Sequence, residues 1–354
     1  MNILDRYIVR RILAMTALVM AVIICLAVLF TFIGEQGDTG TGRYGSLDAF
    51  WFSLMSVPQQ AWELLPIGAL IGSLLGLGGL ASGSELTVAR AAGVSVLRLS
   101  LSVFIAGVLL VGVEAVLGEL LAPPLQQVAR QQRATERFSD ASFNGGSAWV
   151  RDGNQILDVQ QSQDGRAQGG MLIFELSGDH HLLAIGRAAR ALAGAGHHWV
   201  LRDYAESRFT PDKVTAISTG ERTLTSNISS QFLHLTESVP GELTSSALWS
   251  LIGYYRANSL DPKPFLFAFW SRIARTGAIA FAVLLAIPFV LGPMRSAGTG
   301  ARLLLGMLLG LGFFFLQRFI ETGTIVFDLD PVLLAWLPTA VLVVVTCGLL
   351  LRVR

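Results

Sequence analysis

Six runs of about 20 apolar residues, separated by short polar links and one long polar insert, decide most of what this chain can become. Inside a bilayer no water satisfies the backbone, so such a run is stable only as a helix that bonds its own N–H and C=O groups. The runs cover residues 12–33, 64–81 (extending upstream past Glu63), 99–122, 266–291, 303–320 and 331–351. With 52% hydrophobic and 14% charged residues, the chain is excluded from the water-soluble globular class.

Six spans place both termini on one side. Arginines mark that side as cytoplasmic: Arg6, Arg10 and Arg11 before the first run, Arg90 and Arg98 after the second, Arg295 and Arg302 after the fourth, Arg352 and Arg354 after the sixth. The opposite links hold only Arg43 or, at residues 327–330, acidic groups, so the insert is expected in the periplasm of a bacterium with two membranes. The first run is longer than a signal-peptide core and lacks a small-residue cleavage site, so it reads as a retained helix. The 26 basic and 25 acidic residues nearly cancel, and no global field points to nucleic acid. Cys25 and Cys347 fall in apolar runs and read as small buried packers.

Between residues 143 and 235 the pattern changes to short β-forming runs. Turn signals punctuate them: Asp152-Gly153-Asn154, Asp164-Gly165, Ser177-Gly178-Asp179, Gly194-Ala195-Gly196 and Pro211-Asp212. Residues 155–159, 171–176, 199–204 and 231–235 read as strands of an antiparallel sandwich or barrel-like sheet. Residues 125–137 continue the third span outward as a helix, and Leu248, Leu251, Ile252 and Tyr255 mark an amphipathic helix after Pro240-Gly241. The expected fold class is six transmembrane helices plus an all-β periplasmic domain. The expected division is residues 1–124 (spans one to three), 125–264 (the β domain with flanking helices) and 265–354 (spans four to six).

Few residues suggest chemistry. His180-His181 and His197-His198 look like metal ligands, but neighbours on a strand point to opposite faces and each pair abuts a glycine turn, so solvated loop histidines are the better reading. There is no Walker A sequence, nucleophile elbow, H-E-x-x-H, or cysteine beside a histidine. Gly72-x-x-x-Gly76 and Gly306-x-x-x-Gly310 suit close helix approach rather than phosphate binding. Glu114 and Glu119 inside an apolar helix are costly and therefore candidates, although a spacing of five puts them about 140° apart. An interhelical hydrogen bond for Glu114 and snorkelling for Glu119 are the competing readings. Arg130, Arg133 and Arg137 line one helical stripe suited to phosphate or carboxylate, or to pairing with Glu136, Asp140 or lipid headgroups.

The link between spans two and three is more informative. Ser82 with Glu85 three residues on forms a capping-box pattern and Gly93 is a stop, which predicts a two-turn helix over residues 83–94. Alone it is too short to be stable. Either it docks into another protein's groove through Ser84, Glu85, Leu86, Ala89, Arg90, Ala92 and Gly93, or Glu85 only caps.

Here the sequence resembles a known family, the LptF/LptG permeases of lipopolysaccharide export, and is most similar to its LptG branch. The matching stretches run from end to end. They are Leu4-Asp5-Arg6-Tyr7-Ile8, Leu75-Gly76-Leu77-Gly78, Ser84-Glu85-Leu86, Ala92-Gly93, Gly118-Glu119, Ala122-Pro123 and Phe289-Val290-Leu291-Gly292-Pro293-Met294-Arg295-Ser296. The resemblance implies an ABC exporter in the bacterial inner membrane. This chain would pair with an LptF-like permease above two LptB-like ATPase subunits, which bind the ATP and Mg, while the chain itself holds no cofactor and hydrolyses nothing. The helix around Glu85 becomes the coupling helix in the ATPase groove. The insert becomes a β-jellyroll resembling the LptC and LptA bridge proteins. Arg130, Arg133, Arg137 and Arg43 would meet lipopolysaccharide headgroups, and Leu26, Phe30, Leu309 and Phe313 its acyl chains. The family's lysines at the outer end of span one are replaced by Thr31, Glu35, Gly37 and Asp38, which leaves Arg43 or Arg133 to substitute. Two rivals are an integral-membrane hydrolase, for which no convergent nucleophile and base is found, and a sensor or scaffold with a periplasmic ligand domain. The chain's stop three residues after span six argues against the output domain a sensor needs.

Overall fold

The structure, a computed structural model, describes residues 3–40, 43–137, 147–160, 170–178, 181–193, 198–210, 213–225, 240–292, 298–326 and 329–352. Two compact units result: Met1–Arg137 with Lys263–Arg354, and Phe138–Pro262.

The first unit is helical. It runs through α1 (Ile3–Glu35), a short 3-10 turn (Gln36–Asp38), α2 (Ser46–Met55), α3 (Val57–Ser82), α4 (Glu85–Ala91), α5 (Val96–Val116), a π turn (Leu117–Leu121) and α6 (Ala122–Arg137). The second unit ends in α7 (Ser245–Ala257), after which α8 (Lys263–Leu291), α9 (Thr299–Val326) and α10 (Pro331–Arg352) complete the bundle. Among the described residues six helices are long and apolar enough to cross a membrane, and each contains one of the six apolar runs. Span two does extend upstream of Glu63, to Val57.

Helices α3 and α8 form the centre, with 72% and 67% of their most apolar windows buried, against 17% to 33% for the other four. Helices α1, α8 and α9 pack on α3, while α5 and α10 pack on α8. The glycine pairs act as expected. Gly72 and Gly76 meet the backbone of α1 at Thr16 and Arg11-Ile12, and Gly306 and Gly310 seat α9 on Ile67, Ile71 and Leu74. Cys25 and Cys347 correct the sequence reading, since both are exposed on the surface of the chain. Helix periodicity turns them outward, and an apolar run crossing a membrane does not by itself say which face is packed.

The second unit is built on one antiparallel sheet. Strands β1 (Ser147–Asp152), β2 (Gln155–Gln160), β3 (Met171–Leu176), β4 (Leu182–Ala193), β5 (His198–Thr210) and β6 (Lys213–Thr225) pair in sequential order. The first hairpin closes through Gly153-Asn154, with Asp152 opposite Gln155 and Gly153 at φ 58°, a conformation that glycine adopts without strain. The expected strand at 231–235 and the turns at 164–165, 194–196 and 211–212 lie outside the described residues. One face buries Val150, Leu157, Val159, Met171, Ile173, Trp199, Leu201 and Leu224. The inward parity changes partway along two strands. Burial passes from Leu201 to Tyr204 on β5 and from Ala191 to Ala188 on β4, and Asp203 at the step has φ 53°. Helix α7 braces the first hairpin. The Tyr254 hydroxyl donates to the Arg151 carbonyl at 2.6 Å and accepts its N–H at 2.8 Å, and Asn258 Oδ1 accepts from the Gly153 N–H at 2.9 Å. Membrane helices plus an all-β domain, in keeping with a jellyroll-like sheet that buries one apolar face, is the fold class expected from the sequence.

Candidate functional site

The link between spans two and three folds as α4, seven residues long. Its start differs from the expected capping box. Ser84, in the left-handed region at φ 60°, precedes the helix without a side-chain cap, and the Ser82 hydroxyl instead donates to the Gly78 and Gly79 carbonyls at 2.9 and 3.1 Å. A serine hydroxyl near a helix end bonds back to carbonyls three and four residues earlier in its own helix, which takes it away from the cap. The Gly93 stop is present: Gly93 has φ 91° and donates to Arg90, while Val94 donates to Ala89, a Schellman closure. Leu86 is buried in the bundle core, Ala89 is half-buried, and Ser84, Glu85, Arg90, Ala92 and Gly93 face outward.

At the far end of the bundle the arginine stripe meets α1. Arg133 of α6 places Nε 2.7 Å from Glu35 Oε2 and Nη2 2.8 Å from Asp38 Oδ2, with its guanidinium 5.1 Å from the centre of the Phe52 ring. Arg133 thus pairs with the two acids at the end of span one rather than with Glu136, and Asp140 lies outside the described residues. Buried Tyr44 donates to Glu35 at 2.9 Å, and its burial together with that carboxylate pushes the hydroxyl up to about 12, so it stays a donor. The Arg43 N–H donates to the Glu136 carbonyl at 2.8 Å, which fastens the Arg43 loop to the last turn of α6. Arg130 and Arg43 are exposed; the Arg137 side chain lies outside the described residues.

The two acids of span three are brought together. The π turn between them uses bonds five residues apart, which carries residues at that spacing toward one face, so the 140° separation expected of a regular helix does not occur. Glu119 pairs with Arg272 of α8 at 3.1 Å rather than snorkelling, and Arg272 also donates to the Gly118 carbonyl at 3.0 Å. Glu114, wholly buried, faces Arg275 at 3.6 Å, an interhelical ion pair in which neither carboxylate oxygen has a hydrogen bond. Trp62 of α3 lies beneath both guanidiniums, 4.7 Å from Arg272 and 3.4 Å from Arg275, so three spans converge on one neutral group of two acids and two bases. Sequence reasoning missed these arginines, although two cations one turn apart inside an apolar run are the signal that flags an intramembrane partner.

Leu26 and Phe30 are exposed on α1, Phe313 is half-buried, and Leu309 packs partly against the bundle core. In the β unit, nearly buried Glu206 accepts from Tyr204 at 2.8 Å, from Arg208 at 2.9 Å and from Arg222, while Arg208 also pairs with Glu175 at 3.0 Å. Burial pushes the Glu206 carboxyl up, and these hydrogen bonds outweigh it and hold the group below its ordinary range. His181 and His198 are exposed; His180 and His197 lie outside the described residues. Among the described residues no cluster of three or more His, Cys, Asp or Glu is placed to hold a metal.

Among the described residues, six helices long and apolar enough to cross a membrane, a two-turn helix between spans two and three, and an all-β unit between spans three and four define a multi-pass membrane protein with an inserted β domain. A family model described as "Lipopolysaccharide export system permease LptF/LptG" matches residues 6–352, and the chain belongs to that family. It is 30% identical over 354 residues to the "Lipopolysaccharide export system permease protein LptG" of Escherichia coli strain K12, spanning 99% of this chain and 98% of that protein. It is 26% identical over 361 residues to the Haemophilus influenzae protein of the same name, spanning 100% of this chain and 99% of that one.

Proposed function

We propose that this chain is a permease subunit of an ATP-driven exporter that takes lipopolysaccharide from the outer leaflet of the inner membrane and passes it to a periplasmic β-jellyroll bridge. The observation that carries the reading is α4. A seven-residue helix cannot persist alone, yet here Leu86 anchors it in the bundle and Glu85 and Arg90 face outward, as a helix seated in a partner's groove requires.

In this reading both termini and α4 are cytoplasmic and the β domain is periplasmic. Two LptB-like ATPases bind ATP and Mg, since this chain has no phosphate-cradling sequence. An LptF-like permease completes the apolar cavity, to which Leu26, Phe30, Leu309 and Phe313 contribute. The Arg130, Arg133 and Arg137 stripe, with Arg43 tied to its end, meets the lipid phosphates, and the acyl chains move on toward LptC- and LptA-like bridge proteins. Closure of the cavity, transmitted through Glu85 and α4, expels the lipid. No step needs a catalytic group in this chain.

Purification from membranes in mild detergent tests the assembly. Co-purification of a Walker-motif ATPase with a second six-span permease is expected. A monodisperse lone chain, with no ATPase captured even after crosslinking in membranes, overturns it.

A further inference from the structure

We propose that Arg302 is a positioning residue that fastens span five to the end of α3 from which the coupling helix leads off, so that movement of α4 is delivered to span five. The inference rests on reading α4 as the coupling helix and adds how its motion leaves that helix.

Arg302 lies in the first turn of α9 and is buried to 2% exposure. Its Nη1 donates to the Gly78 carbonyl and lies 3.4 Å from the Ser82 hydroxyl, both in the last turns of α3. A guanidinium suits that place, because the C-terminal end of a helix is the negative end of its dipole. The fit depends on glycine. A Cβ at position 78 would overlap Cδ, Nε and Nη1 of Arg302, so the arginine occupies the space a side chain would fill. Span five is thereby gripped by the segment of α3 that leads directly into α4.

Span five is also the least buried of the six, at 17%. Spans two, three and four, by contrast, are clamped together by Trp62, Glu114, Glu119, Arg272 and Arg275. The span with the most uncovered surface is therefore the one that Arg302 ties to the end of α3.

The test reconstitutes the whole exporter in liposomes and measures lipopolysaccharide released per ATP hydrolysed. Arg302→Met should keep most of the ATPase rate while release per ATP falls about fivefold, the lower end of usual coupling energies. Arg302→Lys should recover part of that loss, and Gly78→Ala should reproduce it, because the new methyl displaces the guanidinium while meeting only a flexible side chain. An unchanged ratio in Gly78→Ala and Arg302→Lys overturns the proposal, even where Arg302→Met does not assemble. Glu85→Ala separates the two ideas. If it alters coupling while the Arg302 and Gly78 variants do not, only this inference fails; if it changes neither ATPase nor release, the coupling-helix reading falls.

Discussion

The Arg133 guanidinium lies 2.7 Å from the Glu35 carboxylate, so a cation of α6 and the acid that ends α1 neutralise one another. Asp38 holds the same guanidinium at 2.8 Å. In the proposed headgroup role, a lipid phosphate would displace carboxylates rather than meet a bare arginine. The Arg133–Asp38 pair, about one-third exposed on each side, contributes about 1 kcal/mol or less, so a doubly charged phosphate can compete for it. Photo-crosslinking of lipopolysaccharide to α6 should rise when Glu35→Gln and Asp38→Asn are combined and fall with Arg133→Glu, the complex remaining assembled. Crosslinking that ignores both changes removes Arg133 from headgroup binding.

Glu114 and Arg275 should be far more sensitive to loss of one partner than of both. Arg275→Met leaves a wholly buried carboxylate uncompensated, at a cost of about 3–5 kcal/mol. Glu114→Leu combined with Arg275→Leu should cost clearly less than the sum of the single changes. Thermal unfolding of the detergent-solubilised protein reads both, and strict additivity would show that the pair is not coupled.

The packing of α1 on α3 predicts an order among glycine substitutions. Gly72→Ala drives a methyl into the Thr16 backbone, Gly76→Ala meets Arg11 and Ile12 at 3.3 Å, and Gly112→Ala meets nothing within 4 Å. Melting temperatures should fall most for the first and less for the second, and should hold or rise slightly for the third, where alanine also favours the helix by about 1 kcal/mol. A Gly72→Ala protein as stable as wild type would mean that the two helices separate freely.

Glu206 makes the β domain sensitive to acid. Its carboxyl is depressed below the ordinary 4.5, so the stability it contributes is complete above that value and is lost as pH falls through the lower folded value. Glu206→Gln should weaken the domain at neutral pH and flatten its response below about pH 4.5. Hydrogen exchange of β4 to β6 in the full chain, corrected for the intrinsic rate at each pH, distinguishes this from an equal acid response in both proteins.

What could be read from the sequence followed from periodicity and length. A run of 20 apolar residues has one physical solution in a bilayer, and Gly93 closes α4 because only a left-handed residue completes that turn. Features set by competition were not legible. Ser82 could cap α4 or bond back to α3, and the carbonyls of Gly78 and Gly79 were nearer. Glu114 and Glu119 meet neighbouring arginines of one helix, with the backbone between them widened into a π turn that residue spacing does not announce. Arg133 offered several acids as partners, and the fold of the loop after α1 chose Glu35 and Asp38.

The clamp of spans two, three and four also sets a schedule for biosynthesis. Arg272 follows its partner Glu119 by 153 residues, so at ribosomal rates of roughly 5–20 residues per second the acids of span three wait on the order of 8–30 s for their cations. During that interval a helix with two unpaired carboxylates must be shielded, by water, by protonation or by the insertion machinery, before span four is threaded beside it. Variants that delay or weaken span four should therefore be lost at the stage of membrane insertion, before any defect in transport could be seen.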